Sequence, residues 1–134
     1  MKKTLIISGC ALISACGLKP INVKSNQVGD YWTPSNKYSA VVRSKELGCG
    51  LFLPGDDGTK PSGLVTYTIT DNGGTKDVKV TELKNGMTKE DISLWESMMN
   101  LGGFKHYVAV IKPAQPVIVE QRFSFQPSEK HCNK

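Results

Sequence analysis

The chain has 134 residues, 39% of them hydrophobic and 22% charged, with a formal net charge of +5. That length supports one domain with a modest core. Beyond Lys2-Lys3 the basic residues are scattered singly, so the basic patch with interleaved aromatics that a nucleic-acid partner requires is absent from the sequence.

Met1-Lys2-Lys3 is followed by an apolar run from Thr4 to Ala15. A short basic head, an apolar stretch of this length and small residues at its end describe a secretory signal. The run falls short of the roughly 20 residues that a spanning helix needs, and it lacks the polar face of a surface helix. Its end, Ile13-Ser14-Ala15-Cys16, resembles the bacterial lipobox. That resemblance implies lipidation of the Cys16 thiol and cleavage before it, so that residues 1–15 are lost. Ile7-Ser8-Gly9-Cys10 also fits the pattern but leaves only a short apolar run ahead of the cut. Lipobox proteins carry several acyl chains, which anchor far more firmly than one. Gly17, rather than Asp, after Cys16 implies an outer-membrane location facing the periplasm.

Cleavage leaves 119 residues with a net charge of +3. It also removes Cys10 and commits Cys16 to lipid. Cys49 and Cys132 are then the remaining thiols in an oxidising compartment, where such a pair is expected to form a disulfide.

Residues 16–37 are polar and irregular, with Pro20 and Pro34, and are expected to be a tether. Residues 38–134 are expected to form a single domain. Lys37–Leu47 is expected to be a short helix that Gly48 stops. Asp56 and Asp57 lie in a Gly- and Pro-rich loop without the alternating oxygen ligands and late Glu of a calcium site, which leaves a turn. In "LVTYTIT" Val65, Tyr67 and Ile69 alternate with polar residues, as a half-buried strand requires. Asp71–Gly74 supplies turn chemistry, and Val78 and Val80 continue the alternation, which completes a hairpin. Thr88 with Asp91 three residues later forms a variant capping box, and Glu90 and Asp91 suit the positive end of a helix dipole. Ile92, Trp95 and Met99 share one face of the helix that follows. A strand or extended segment is expected over "FKHYVAVI". A further strand is expected over "PVIVEQRFSFQ", with Val117, Val119, Phe123 and Phe125 on one face.

The segments "VTYTITDNGGTKDVKV", "EDISLWESMMNLGGFKHY" and "QPVIVEQRFSFQP" together resemble the TonB C-terminal domain family over about residues 62–127. The resemblance implies an α+β fold: a small antiparallel three-stranded sheet, built from a β-hairpin, a helix and a final strand, with the helix packed on one face. It also implies recognition of an extended partner segment at an exposed sheet edge, where unpaired backbone groups supply affinity. The final strand is expected to be that edge, with Val119, Glu120, Gln121, Arg122 and Ser124 along the docking line.

No catalytic constellation is legible in the sequence. The two histidines, His106 and His131, lack the spacing of zinc ligands, and no nucleophile motif such as G-x-S-x-G occurs. The expectation is therefore a non-enzymatic lipoprotein with no cofactor and no metal. It is anchored to the membrane through lipid and binds an envelope protein or an extended peptide segment. The alternative is an exclusion or interaction lipoprotein of the kind phages and plasmids use.

Overall fold

The structure, a computed structural model, describes residues 18–35, 41–101 and 105–132. Residues 1–15, expected to be a secretory signal, and Cys16 lie outside these residues.

The hairpin forms where alternation and turn chemistry place it. Strand β5, Ser62–Ile69, pairs antiparallel with β6, Thr75–Lys84. Gly73 in the turn between them has φ +85°, and the Tyr107 carbonyl fills the space that a Cβ would take. Strand β6 carries two irregularities of register, and Asp77 and Glu82, at φ 53° and 52°, sit within them. Each gives β6 an extra residue over its partner, which bends a strand and increases its twist. The consequence is a sheet that curls.

Strand β8, Val117–Pro127, is the spine of that sheet. It pairs along its length with β5 on one side. On the other side its first half pairs in parallel with β1, Ile21–Lys24, and its second half antiparallel with β4, Gly48–Pro54. Strand β3, Val41–Ser44, extends the sheet beyond β4. The antiparallel order is β3-β4-β8-β5-β6, with β1 off that path. Strands β2, Trp32–Pro34, and β7, Tyr107–Ala109, form a separate two-stranded sheet.

This architecture corrects the three-stranded α+β expectation. The molecule is mostly β, a curled half-barrel of five antiparallel strands with a second sheet beside it. Three segments account for the difference. Leu51–Leu53, a short apolar run in the sequence, belongs to the full strand β4. The expected tether contains β1, a 3-10 turn at Ser25–Asp30 and β2. Val41–Ser44, expected to be helical, is extended instead, in line with the β preference of adjacent β-branched residues.

Helix α1, Lys89–Met99, begins as expected. Thr88 accepts a hydrogen bond from the Asp91 N–H, and the Asp91 carboxylate accepts from the Thr88 N–H. Ile92 is fully buried, while Trp95 and Met99 are partly buried. They close the concave side of the sheet over Val42, Val65, Val78, Val80, Met87, Phe123 and Phe125. Gly50 of β4 lies against the Phe125 ring with no room for a Cβ, which lets sheet and ring approach.

A second core is gathered around Trp32, Ile69, Val117 and Val119. Val117 and Val119, expected on one face with Phe123 and Phe125, pack here, while the two phenylalanines pack in the first core. The Trp32 indole N–H donates to the Gln115 carbonyl at 2.7 Å, so the polar atom of this buried ring is satisfied.

Cys49 and Cys132 are joined, with Cα atoms 5.9 Å apart across 83 residues of sequence. The bond fastens the short helix α2, Glu129–Cys132, to β4. In the chain-entropy account, closing a loop of this length contributes up to about 4–5 kcal/mol.

Candidate binding cleft

Strand β8 cannot serve as an exposed edge. Val119 is buried in the second core, and Glu120 is exposed. Gln121 turns to the concave side. The Arg122 guanidinium pairs with Glu82 at 2.7 Å on the opposite face, and Ser124 is buried. The backbone at this level is occupied as well: β5 lies on one side, β1 and β4 share the other, and Gly55 N–H donates to the Arg122 carbonyl between them. The expected docking line is therefore internal. It was misplaced because its second set of neighbours, β1 and β4, come from a stretch read as tether and from a short apolar run not assigned to a strand. Period-two alternation in Ile21-Asn22-Val23-Lys24 was the available signal for the first of these.

The margin of the sheet on the β6 side is covered too. The Val78 N–H donates to Asn100 Oδ1 at 2.8 Å, and Asn100 Nδ2 donates to the Val78 carbonyl at 3.1 Å. The Val80 N–H donates to Glu96 Oε1 at 2.7 Å, and Lys89 Nζ donates to the Val80 carbonyl at 3.2 Å. Side chains of the helix and its C-terminal cap thus occupy backbone positions that an added strand would use. The first turn of the same helix is tied to the other margin, since Ser44 Oγ of β3 donates to Asp91 Oδ1 at 2.6 Å. Helix α1 spans the curled sheet from margin to margin.

Burial raises the Asp91 carboxyl, but the hydrogen bonds from the Ser44 hydroxyl, the Thr88 hydroxyl and the Thr88 N–H outweigh it and hold Asp91 below its ordinary value.

Between helix and sheet an apolar cleft of about 190 Å³ remains open. Phe52 is its hub, with edge-to-face contacts to Phe123 at 4.7 Å, Trp95 at 5.7 Å and Phe125 at 6.1 Å. Such pairs prefer this geometry and fix one another's orientation. Val65, Val78 and Met99 complete the apolar wall, and Tyr67, Tyr107 and Gln121 bring polar atoms to it. Tyr67 bridges the two cores. Burial, with the Tyr107 hydroxyl beside it, pushes the Tyr67 phenol well above its ordinary value, so it remains a neutral hydroxyl at physiological pH. The cleft exists because β4 leaves β8 at Pro54, opening the concave side where the two cores meet.

The remaining candidate residues are used by the fold. Asp56 accepts from the Gly58 N–H and the Ser62 hydroxyl, and Asp57 from the Thr59 N–H and hydroxyl. The latter bonds hold Asp57 below its ordinary value. His131 Nδ1 lies 2.7 Å from the Ser128 hydroxyl. Among the described residues no three His, Cys, Asp or Glu side chains converge as metal ligands, and no helix is long and apolar enough to cross a membrane.

Comparison with protein-family models, with curated proteins and with solved structures finds no match to this chain. The resemblance to the TonB C-terminal domain rests on patterned positions alone.

Proposed function

We propose that this chain is a periplasm-facing lipoprotein, anchored through Cys16 to the outer membrane, that binds an envelope protein in the cleft between α1 and the curled sheet. The Ile13–Cys16 motif supports the anchor. The Phe52–Trp95–Phe123 cleft carries the binding reading. Its size decides what can enter: an apolar cavity of about 150 Å³ holds a benzene-sized group, whereas sites for small-molecule cofactors begin at about 300 Å³. A volume of about 190 Å³ therefore suits one large apolar side chain of a partner, the kind of anchor that dominates protein interfaces. The neutral Tyr67 hydroxyl and the Gln121 amide can fix the orientation of that anchor by hydrogen bonding.

Site-specific photocrosslinking in cells tests the proposal. A crosslinker at Met99, in the cleft wall, should capture a defined envelope protein, and one at Thr59, in the loop beyond β4, should not. Met99→Trp should fill the cleft and abolish capture from a crosslinker at Tyr107. If that variant, folded by circular dichroism, captures the same partner at the wild-type level, the cleft is not the binding site.

A further inference from the structure

Removing the tether changes where the domain must sit. Strand β1 runs parallel to β8 from the pair Ile21–Val117, so Leu18–Pro20 project beyond the Val117 end of the sheet. The Lys19 carbonyl is held there by Gln115 Nε2 at 2.8 Å. Cys16 precedes Leu18 by two residues, a reach of about 7 Å at most. A lipid on Cys16 would hold this end of the fold at the bilayer with almost no slack.

The surface at this end has the composition such a position calls for. The loop from Val110 to Pro116 is pinned to the N-terminal segment at both ends, by Val110 N–H to the Tyr31 carbonyl and by Gln115 to Lys19. Between those pins and beside them, Val108 is 57% exposed, Val110 51%, Leu18 42%, and Ile21 and Ile111 39% each. Residues 18–22 and 108–118, which build this end, contain Lys19 and Lys112 and no carboxylate, while Lys24 lies level with Glu120 at the other end of β1. Acidic residues adjoin this end at Asp30, next to the Tyr31 pin, and at Asp71, in the β5–β6 turn. Apolar side chains flanked by lysines suit the boundary between acyl chains and anionic headgroups.

We infer that the Val117 end of the domain, through Leu18, Ile21, Val110 and Ile111 with the surrounding lysines, docks on the surface of an anionic phospholipid bilayer. This rests on the proposed Cys16 anchor and goes beyond it, because it gives the domain a fixed orientation. The 55–61 loop then points away from the membrane, since it adjoins Ser124, roughly 23 Å along β8 from Val117. The mouth of the cleft, walled in part by Leu53 and Pro54 of β4, is left accessible from the periplasm.

The full chain is processed in cells, purified with its lipid, and reconstituted into vesicles of phosphatidylethanolamine and phosphatidylglycerol that contain brominated acyl chains. Single labels are carried at Ile111→Cys or Thr59→Cys, and the mass of the N-terminal peptide reports acylation. The expected result is an acylated Cys16 and quenching severalfold stronger at residue 111 than at residue 59. The difference should diminish when phosphatidylcholine replaces the phosphatidylglycerol. An acylated protein with equal quenching at the two labels overturns the docking inference and leaves the anchor standing. An unacylated N-terminus overturns the anchor and the inference together. Equal quenching at residue 111 in the two kinds of vesicle overturns the assignment to anionic headgroups.

Discussion

Around Ile92 the core takes most of its walls from one continuous stretch, β5 through α1, whereas around Trp32 it is assembled from segments far apart in the chain. The first core uses a hairpin, a capped helix and their direct packing. The second brings Trp32 to Gln115 across 83 residues and β1 to the first half of β8. Yet Trp32 is only 1% exposed, more deeply buried than Trp95 of the helix stripe, which lines an open cleft. Local signals thus mark the part of the molecule that stays partly open. Trp32, from the segment without them, is sealed.

Substitution of the two tryptophans tests this contrast most severely. Trp32→Ala should destabilise the domain by about 3–5 kcal/mol, the range for a fully buried aromatic, because it opens a cavity and strands the Gln115 carbonyl. Trp95→Ala should cost about 1–2 kcal/mol, since its ring is partly solvated already. Urea unfolding of both variants measures the difference, and equal costs would show that the N-terminal segment is not an integral layer.

A smaller effect should appear at the helix start, where α1 is tied to β3. Asp91→Asn should cost about 1 kcal/mol at neutral pH, the scale of a partly exposed helix cap. The sign of its pH dependence follows from the lowered Asp91 ionisation. Its contribution is complete above the unfolded-state value near 3.9 and disappears as pH falls through the lower folded-state value. Wild type and variant should therefore converge in unfolding free energy as the pH is lowered below about 4. A gap that persists undiminished at pH 2 would assign the effect to packing rather than to the carboxylate.

The smallest change is expected at Arg122. Its ion pair with Glu82 is half-exposed on the convex face, and pairs of this kind are worth about 0–1 kcal/mol. Arg122→Ala should alter stability within that range and leave partner capture unchanged. Loss of capture by a folded Arg122→Ala variant would return the binding site to the convex face of β8.

How much was legible follows from the range over which each signal acts. The β5–β6 hairpin, the Thr88–Asp91 cap, the face of Ile92, Trp95 and Met99, and the strand beginning at Val117 can all be read from the sequence, because steric preference, turn chemistry and hydrogen bonds within one turn fix them. The Cys49–Cys132 bond was legible by elimination. The cleft was not, since Phe52 became a wall residue only when β4 paired with β8, and the Trp–Met stripe alone was indistinguishable from ordinary core.

Strand neighbours lie beyond that local reach. Val119 to Ser124 has the alternation of an edge strand and of a central strand with one wet face alike, and nothing within those residues separates the two. The distinction came from β1 and β4, whose backbone groups satisfy the second side of β8, and from Asn100, Glu96 and Lys89, which cover the margin at β6. Pairing partners are chosen by the burial and hydrogen bonding of the whole sheet. For this chain the sequence determined which segments would be strand or helix over residues 62–127. Tertiary structure decided which strand lay inside, where the cleft opened, and that Leu18–Pro34 was part of the fold.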